Sequence, residues 1–219
     1  MSALVGVVVF PGTNCEMDVA EAVSSLGANS KLLWHGDENI HGVDSIVIPG
    51  GFAHGDYLRP GAIARFSPVM KAVTQFALEG GPVVGICNGF QVLTEAGLLP
   101  GALQKNSGLK FLCQPATLRV ETVESILTNK AAVGGNLDIP INHFEGNYTC
   151  NKETLKELQE ENRIVLRYVN NPNGSIDDIA GVCNNTRNVV GLMPHPERAC
   201  NELLGSTDGQ VLFQSLLAA

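Results

Sequence analysis

Cys87 is the residue best placed to do covalent chemistry. It stands in Gly85-Ile86-Cys87-Asn88-Gly89, at the end of the apolar run Pro82-Val83-Val84-Gly85-Ile86. Such a run reads as a buried strand. The Gly-x-Cys-x-Gly that closes it is a cysteine version of the nucleophile elbow, in which a strand turns sharply into a helix and holds one side chain up. The flanking glycines remove Cβ atoms that so tight a turn would crowd. The helix that follows offers free N–H groups and a positive dipole end, which favour a thiolate and can hold an oxyanion. The plainer alternative is a buried cysteine at an ordinary Gly-rich turn.

A nucleophilic thiol needs a base, and the base needs an orienter. Of the five histidines, His195 lies in Met193-Pro194-His195-Pro196-Glu197, just past an apolar run and so at the same sheet edge. Pro196 biases His195 toward an extended backbone. That sends the side chains of His195 and Glu197 to roughly the same side, where a carboxylate can orient an imidazole. An oxyanion needs a second backbone donor besides the Asn88 amide. Val47-Ile48-Pro49-Gly50-Gly51 ends another strand in two glycines, and Gly51 is the expected donor. Cys15 sits at a further strand-to-helix turn but lacks the glycine elbow, which ranks it second as a nucleophile. His54 and Asp56, in a Gly-rich stretch with Tyr57 and Arg59, could form a metal or ligand pair, but read rather as an ordered surface loop. His143 and Glu145 follow a predicted strand and could reach the site.

These residues need a scaffold that brings strand ends together. Residues 4–10 (LVGVVVF) read as a buried strand. A helix is expected from an Asn14 N-cap to Leu26, with Gly27 at C′. Strands follow at 31–34 and 45–49, a helix opens at Ser67-Pro68 and stops at Gly80, and 82–87 passes into a helical 89–96. Residues 110–142 alternate apolar and polar and predict half-exposed, partly antiparallel strands. Residues 152–162 read as a charged helix; 164–169, 179–183 and 189–193 read as strands, and 208–217 as a closing helix. The pattern predicts an α/β fold: one domain over 1–219, an open, mainly parallel sheet with helices on both faces and some antiparallel strands in the middle of the chain. Ligands then bind outside the carboxyl ends of the strands.

Composition narrows the function. With 14 Lys and Arg against 22 Asp and Glu, the chain of 219 residues carries a formal charge of −8, poorly suited to nucleic acid or an anionic membrane. At 44% hydrophobic and 16% charged residues, disorder is not expected. No stretch approaches membrane-spanning length, and the first basic residue is Lys31, which predicts a soluble, cytoplasmic protein. The six cysteines form no C-x-x-C pair, so neither a disulfide framework nor a metal site is expected. No dinucleotide or phosphate-loop fingerprint occurs.

Gly50-Gly51, Gly85-Ile86-Cys87-Asn88-Gly89-Phe90-Gln91 and Pro194-His195-Pro196-Glu197 together resemble the triad, or class I, glutamine amidotransferases. Pro11-Gly12-Thr13-Asn14-Cys15, Gly55-Asp56-Tyr57-Leu58-Arg59, Gly97-Leu98-Leu99-Pro100-Gly101-Ala102 and Arg198-Ala199 are similar to the branch that feeds ammonia to a separate synthetase of purine biosynthesis. The resemblance implies Cys87 as nucleophile, His195 as base and acid, and Glu197 as orienter. It implies oxyanion donors at Gly51 and Asn88, and Gln91, Gly50 and His143 beside the bound glutamine. It implies no cofactor in this chain, with ATP and magnesium on a large synthetase subunit, and a small bridging subunit as second partner. The family usually shows Ala-His-Gly-Glu-Gly where this chain has Asn142-His143-Phe144-Glu145-Gly146; Pro60 is a smaller departure. The alternatives are a stand-alone thiol hydrolase or DJ-1-like protein, and a non-catalytic module on the same fold. The first would not need the late His-Pro-Glu, and the complete triad counts against the second.

Overall fold

A computed structural model describes residues 2–40 and 42–219. The Val- and Ile-rich runs form the strands: β1 (Leu4–Val9), β3 (Ser45–Ile48), β4 (Val83–Ile86) and β11 (Val189–Leu192). β3, β4 and β11 are buried at every position, so both faces of the sheet are covered there. β2 (Asn29–Trp34) lies outermost beside β1 and is mostly exposed. These five strands run parallel.

The nine-stranded sheet has the order β2-β1-β3-β4-β11-β10-β9-β6-β7. From β11 onward, β10 (Ile179–Cys183), β9 (Ile164–Tyr168), β6 (Leu112–Val120) and β7 (Asn136–His143) pair antiparallel. The alternating segment thus lies in the middle of the chain but at the edge of the sheet, where one face meets solvent. A separate two-stranded ribbon pairs β5 (Ala102–Gln104) with β8 (Asn147–Thr149).

The helices are α1 (Glu16–Ser25), α2 (Pro68–Leu78), α3 (Asn88–Glu95), α4 (Lys152–Glu160) and α5 (Gln210–Leu216). Pro68 occupies the first turn of α2, as Ser67-Pro68 predicts, and Gly27 takes the left-handed φ of 83° after α1. The N-cap of α1 is Cys15 rather than Asn14. The Asn14 and Cys15 N–H groups both donate to the Gly50 carbonyl at 3.2 Å. A backbone oxygen from the end of β3 therefore does the work expected of the Asn14 side chain.

The chain leaves β1 toward β2 on one side and β3 toward β4 on the other. That reversal opens a crevice at the carboxyl ends of β1 and β3, the switch point at which such sheets bind ligands.

Candidate active site

Cys87 caps α3 with φ 51° and ψ −105°. An L-residue held in this region is strained, and the surroundings must enforce it. The Cys87 N–H donates to Leu192 O at 2.8 Å, tying the turn to β11. A Cβ on Gly89 would lie 1.8 Å from Ile48 O, and one on Gly85 2.6 Å from Gly89 C. Both glycines are required for α3 to start so close to β3 and β4. The Cys87 side chain is buried but reaches the cleft, its Sγ 3.7 Å from Asn142 O.

His195 follows β11, and its backbone is held by donation to Pro140 O at 2.8 Å. Its Nδ1 lies 2.6 Å from Glu197 Oε1, with both side chains buried. Burial would push the imidazole pKa down; the Glu197 carboxylate, then the Cys87 and Cys15 thiols, override it and hold the pKa well above the ordinary value. With Nδ1 serving the carboxylate, Nε2 is the free nitrogen, and it has no partner among the described residues. A Cβ on Gly50 would stand 2.7 Å from His195 Cε1, so the bare backbone of Gly50 forms the imidazole's wall.

Gly51 has φ 146°, and a Cβ there would meet Asn14 N at 2.6 Å. The flanking bonds, Asn14 N to Gly50 O at 3.2 Å and Phe52 N to Gly12 O at 2.8 Å, leave the Gly51 N–H itself without an acceptor among the described residues. Asn88 is the first residue of α3, where an N–H has no acceptor within its helix. Its side chain is a buried hub: Oδ1 accepts from Ala53 N at 2.9 Å, and Nδ2 donates to Gln91 Oε1 at 2.8 Å and Asp56 Oδ1 at 3.1 Å. Gln91 Nε2 in turn donates to Glu145 O at 2.6 Å.

These groups surround one cleft, which Cys87, His195, Gly51, Gln91 and His143 all line. Gly50 and Glu197 stand behind the imidazole. His143, at the end of β7, has its pKa pushed down to about 4, first by burial and then by the charge of His195. It is therefore neutral at physiological pH, with Nδ1 3.1 Å from Asn106 Oδ1. The departure at Phe144 puts an aromatic ring on the cleft wall, with the Lys105 ammonium 5.9 Å from its centroid.

Sequence reasoning passed over Asn106. Its amide oxygen accepts from Gly146 N at 3.1 Å, and its amide nitrogen donates to Lys110 O at 2.9 Å and His143 O at 3.0 Å. It fastens residues 143–146 to the site, yet it lies in a polar stretch that reads as plain loop. Asp56, expected on a surface loop, lines the cleft. His54 does stay outside it, edge-on to His35 with ring centroids 5.2 Å apart. Cys15 comes closer to the triad than expected, its Sγ 4.0 Å from His195 Nδ1 and 3.2 Å from Arg198 Nη2. That is the nitrogen already engaged by Glu197, not the free Nε2. Cys15, His195 and Glu197 place ligand-type atoms within 4.8 Å of one another, but the His–Glu bond occupies that geometry.

The CobB/CobQ-like glutamine amidotransferase domain matches residues 2–211. Phosphoribosylformylglycinamidine synthase subunit PurQ of Rubrobacter xylanophilus is 57% identical over 214 residues, covering 98% of this chain and 97% of that protein. The same subunit of Koribacter versatilis is 52% identical over 224 residues, with 98% and 97% covered. A chain in the structure of PurLQS from Thermotoga maritima superposes with a TM-score of 0.92 at 42% identity, covering 100% of this chain and 99% of its own. Motifs, site geometry, sequence and fold agree over almost the full length, and the chain belongs to the family of the CobB/CobQ-like glutamine amidotransferase domain.

Proposed function

We propose that this chain is the glutaminase subunit of a phosphoribosylformylglycinamidine synthase. It hydrolyses glutamine and passes the ammonia to a separate ATP-dependent synthetase, which converts formylglycinamide ribonucleotide to the formylglycinamidine ribonucleotide of purine biosynthesis. The observation that carries this is a strained Cys87 sharing a cleft with a Glu197-oriented His195, in a chain 57% identical to a PurQ subunit.

The Cys87 thiolate attacks the side-chain amide carbon of glutamine. The N–H groups of Gly51 and Asn88 receive the oxyanion, a term worth about 3–4 kcal/mol per donor in comparable enzymes. His195 Nε2 delivers the proton with which ammonia departs, leaving a γ-glutamyl thioester. His195 then takes a proton from water, whose oxygen attacks the thioester and frees glutamate and Cys87. Glu197 supports the imidazolium in both halves. Gln91 and His143 wall the glutamine pocket, and Gly50 keeps the imidazole in place.

Nothing in this sequence of steps consumes a cofactor. ATP and magnesium belong to the large synthetase subunit, and a small bridging subunit completes the complex. The full-length match to a chain of the PurLQS structure supports such an assembly. Phe52, Tyr57, Leu58 and Phe66 are exposed along the segment that follows Gly51, an apolar surface suited to docking. No helix among the described residues is long and apolar enough to cross a membrane, which fits work in the cytoplasm.

The test is steady-state glutamate release by the purified chain, repeated with saturating synthetase, bridging subunit and their nucleotides. A misplacement of about 1 Å at a donor costs roughly a hundredfold in rate, so weak activity alone and a rise of that order on assembly are expected. No release in either condition would reject the function, and equal turnover in both would reject activation by docking.

A further inference from the structure

The triad explains how an amide is cleaved but not how the cleft selects an α-amino acid. Glutamine carries its ammonium and carboxylate on the α-carbon, three bonds from the carbon that Cys87 attacks. Among the ionisable groups lining the cleft, those not of the triad are Cys15, Asp56, His143, Glu145 and Arg198. Arg198 is engaged by Asp18 at 3.4 Å and Cys15 at 3.2 Å. His143 is neutral, and Glu145 feels the opposing charge of Lys105.

Asp56 is different. Its Oδ1 is fixed by the Asn88 amide at 3.1 Å, and no ion pair to it occurs among the described residues. The arginine nearest in sequence, Arg59, is committed to Glu95 through bonds of 2.5 and 2.7 Å, and His54 is held toward its neutral form by burial and by His35. Asn88 does not depend on Asp56, because its Nδ2 also serves Gln91. A carboxylate is thus anchored to the first residue of the nucleophile's helix, in the substrate cleft, with an oxygen to spare and no countercharge among the described residues. We propose that Asp56 is the seat of the substrate's α-ammonium group and selects glutamine over primary amides that lack it.

The inference rests on the glutaminase reading and adds a recognition residue to it. Burial pushes the Asp56 pKa up; the Asn88 bond pulls it down and the Glu145 charge pushes it further up, to about 6 in balance. A half-buried carboxylate without a cation is costly, and a bound ammonium relieves that cost. Glu145 adds attraction for the same cation at longer range.

The experiment uses the assembled complex and compares L-glutamine with 4-carbamoylbutanoate, which is glutamine without its amino group. KM for the first and the competitive inhibition constant of the second are measured for the wild type and for Asp56→Asn. The variant keeps the shape and the contact to Asn88. In the wild type 4-carbamoylbutanoate should bind roughly 10- to 100-fold more weakly than glutamine binds, and in Asp56→Asn glutamine should weaken by that factor while the analogue changes by no more than about twofold. An equal loss for both compounds, or a gap that persists in the variant, would overturn the assignment. A wild-type complex that releases no glutamate would instead overturn the glutaminase reading on which it rests.

Discussion

His195 is held between opposing influences, since burial disfavours its charged form while Glu197 and two thiols favour it. Glu197→Gln removes the charge and keeps the shape, so the His195 pKa should fall. Glutamate release should slow by roughly tenfold to a few hundredfold, less than in His195→Ala, which loses the base altogether. An NMR titration of His195 alongside the rate measurement checks both; an unchanged pKa and rate would remove Glu197 from the orienter role. This pair was legible in the sequence because Pro194 and Pro196 leave His195 few conformations and place Glu197 two residues on. Asn106 and Asp56 were not legible. Each acts through contacts with residues distant in sequence: Asn106 stands in a plain polar stretch, and the Gly-rich motif around Asp56 reads as surface loop because its contact to Asn88 is 32 residues away.

The groups proposed for catalysis sit on turns whose shape depends on absent side chains. Gly50 is the sharpest case, because its φ suits any residue and yet a Cβ would stand 2.7 Å from His195 Cε1. Gly50→Ala should therefore fold, with an overpacking cost of about 1–3 kcal/mol in a urea titration. It should lose roughly a hundredfold in kcat as the imidazole is displaced. Wild-type turnover in this variant would show that the imidazole wall tolerates a methyl group. Strand cores were legible from their β-branched runs, and their observed bounds differ from expectation by a residue or two. The cap of α1 was not, because the Gly50 carbonyl that replaces the Asn14 side chain belongs to another strand.

On the scale of the molecule, the two halves of the sheet divide the work. The parallel half brings the ends of β1, β3, β4 and β11 together and thereby positions Cys15, Gly51, Cys87 and His195. The antiparallel half, through the end of β7 and the Asn106 anchor, supplies His143 and the outer wall. The first half could be read from apolar runs and glycine turns. That a strand at the far edge of the sheet returns to the site could not, since sheet order is a long-range property. The account makes this whole structure a source of ammonia for a partner, and its central claim is that Cys87 acts only in making that ammonia. The most direct measurement is the rate of formylglycinamidine ribonucleotide synthesis by the complex carrying Cys87→Ala, fed with either glutamine or an ammonium salt. The account predicts no synthesis from glutamine and a wild-type rate from ammonium. Retained synthesis from glutamine, or failure of ammonium to restore it, would contradict the account.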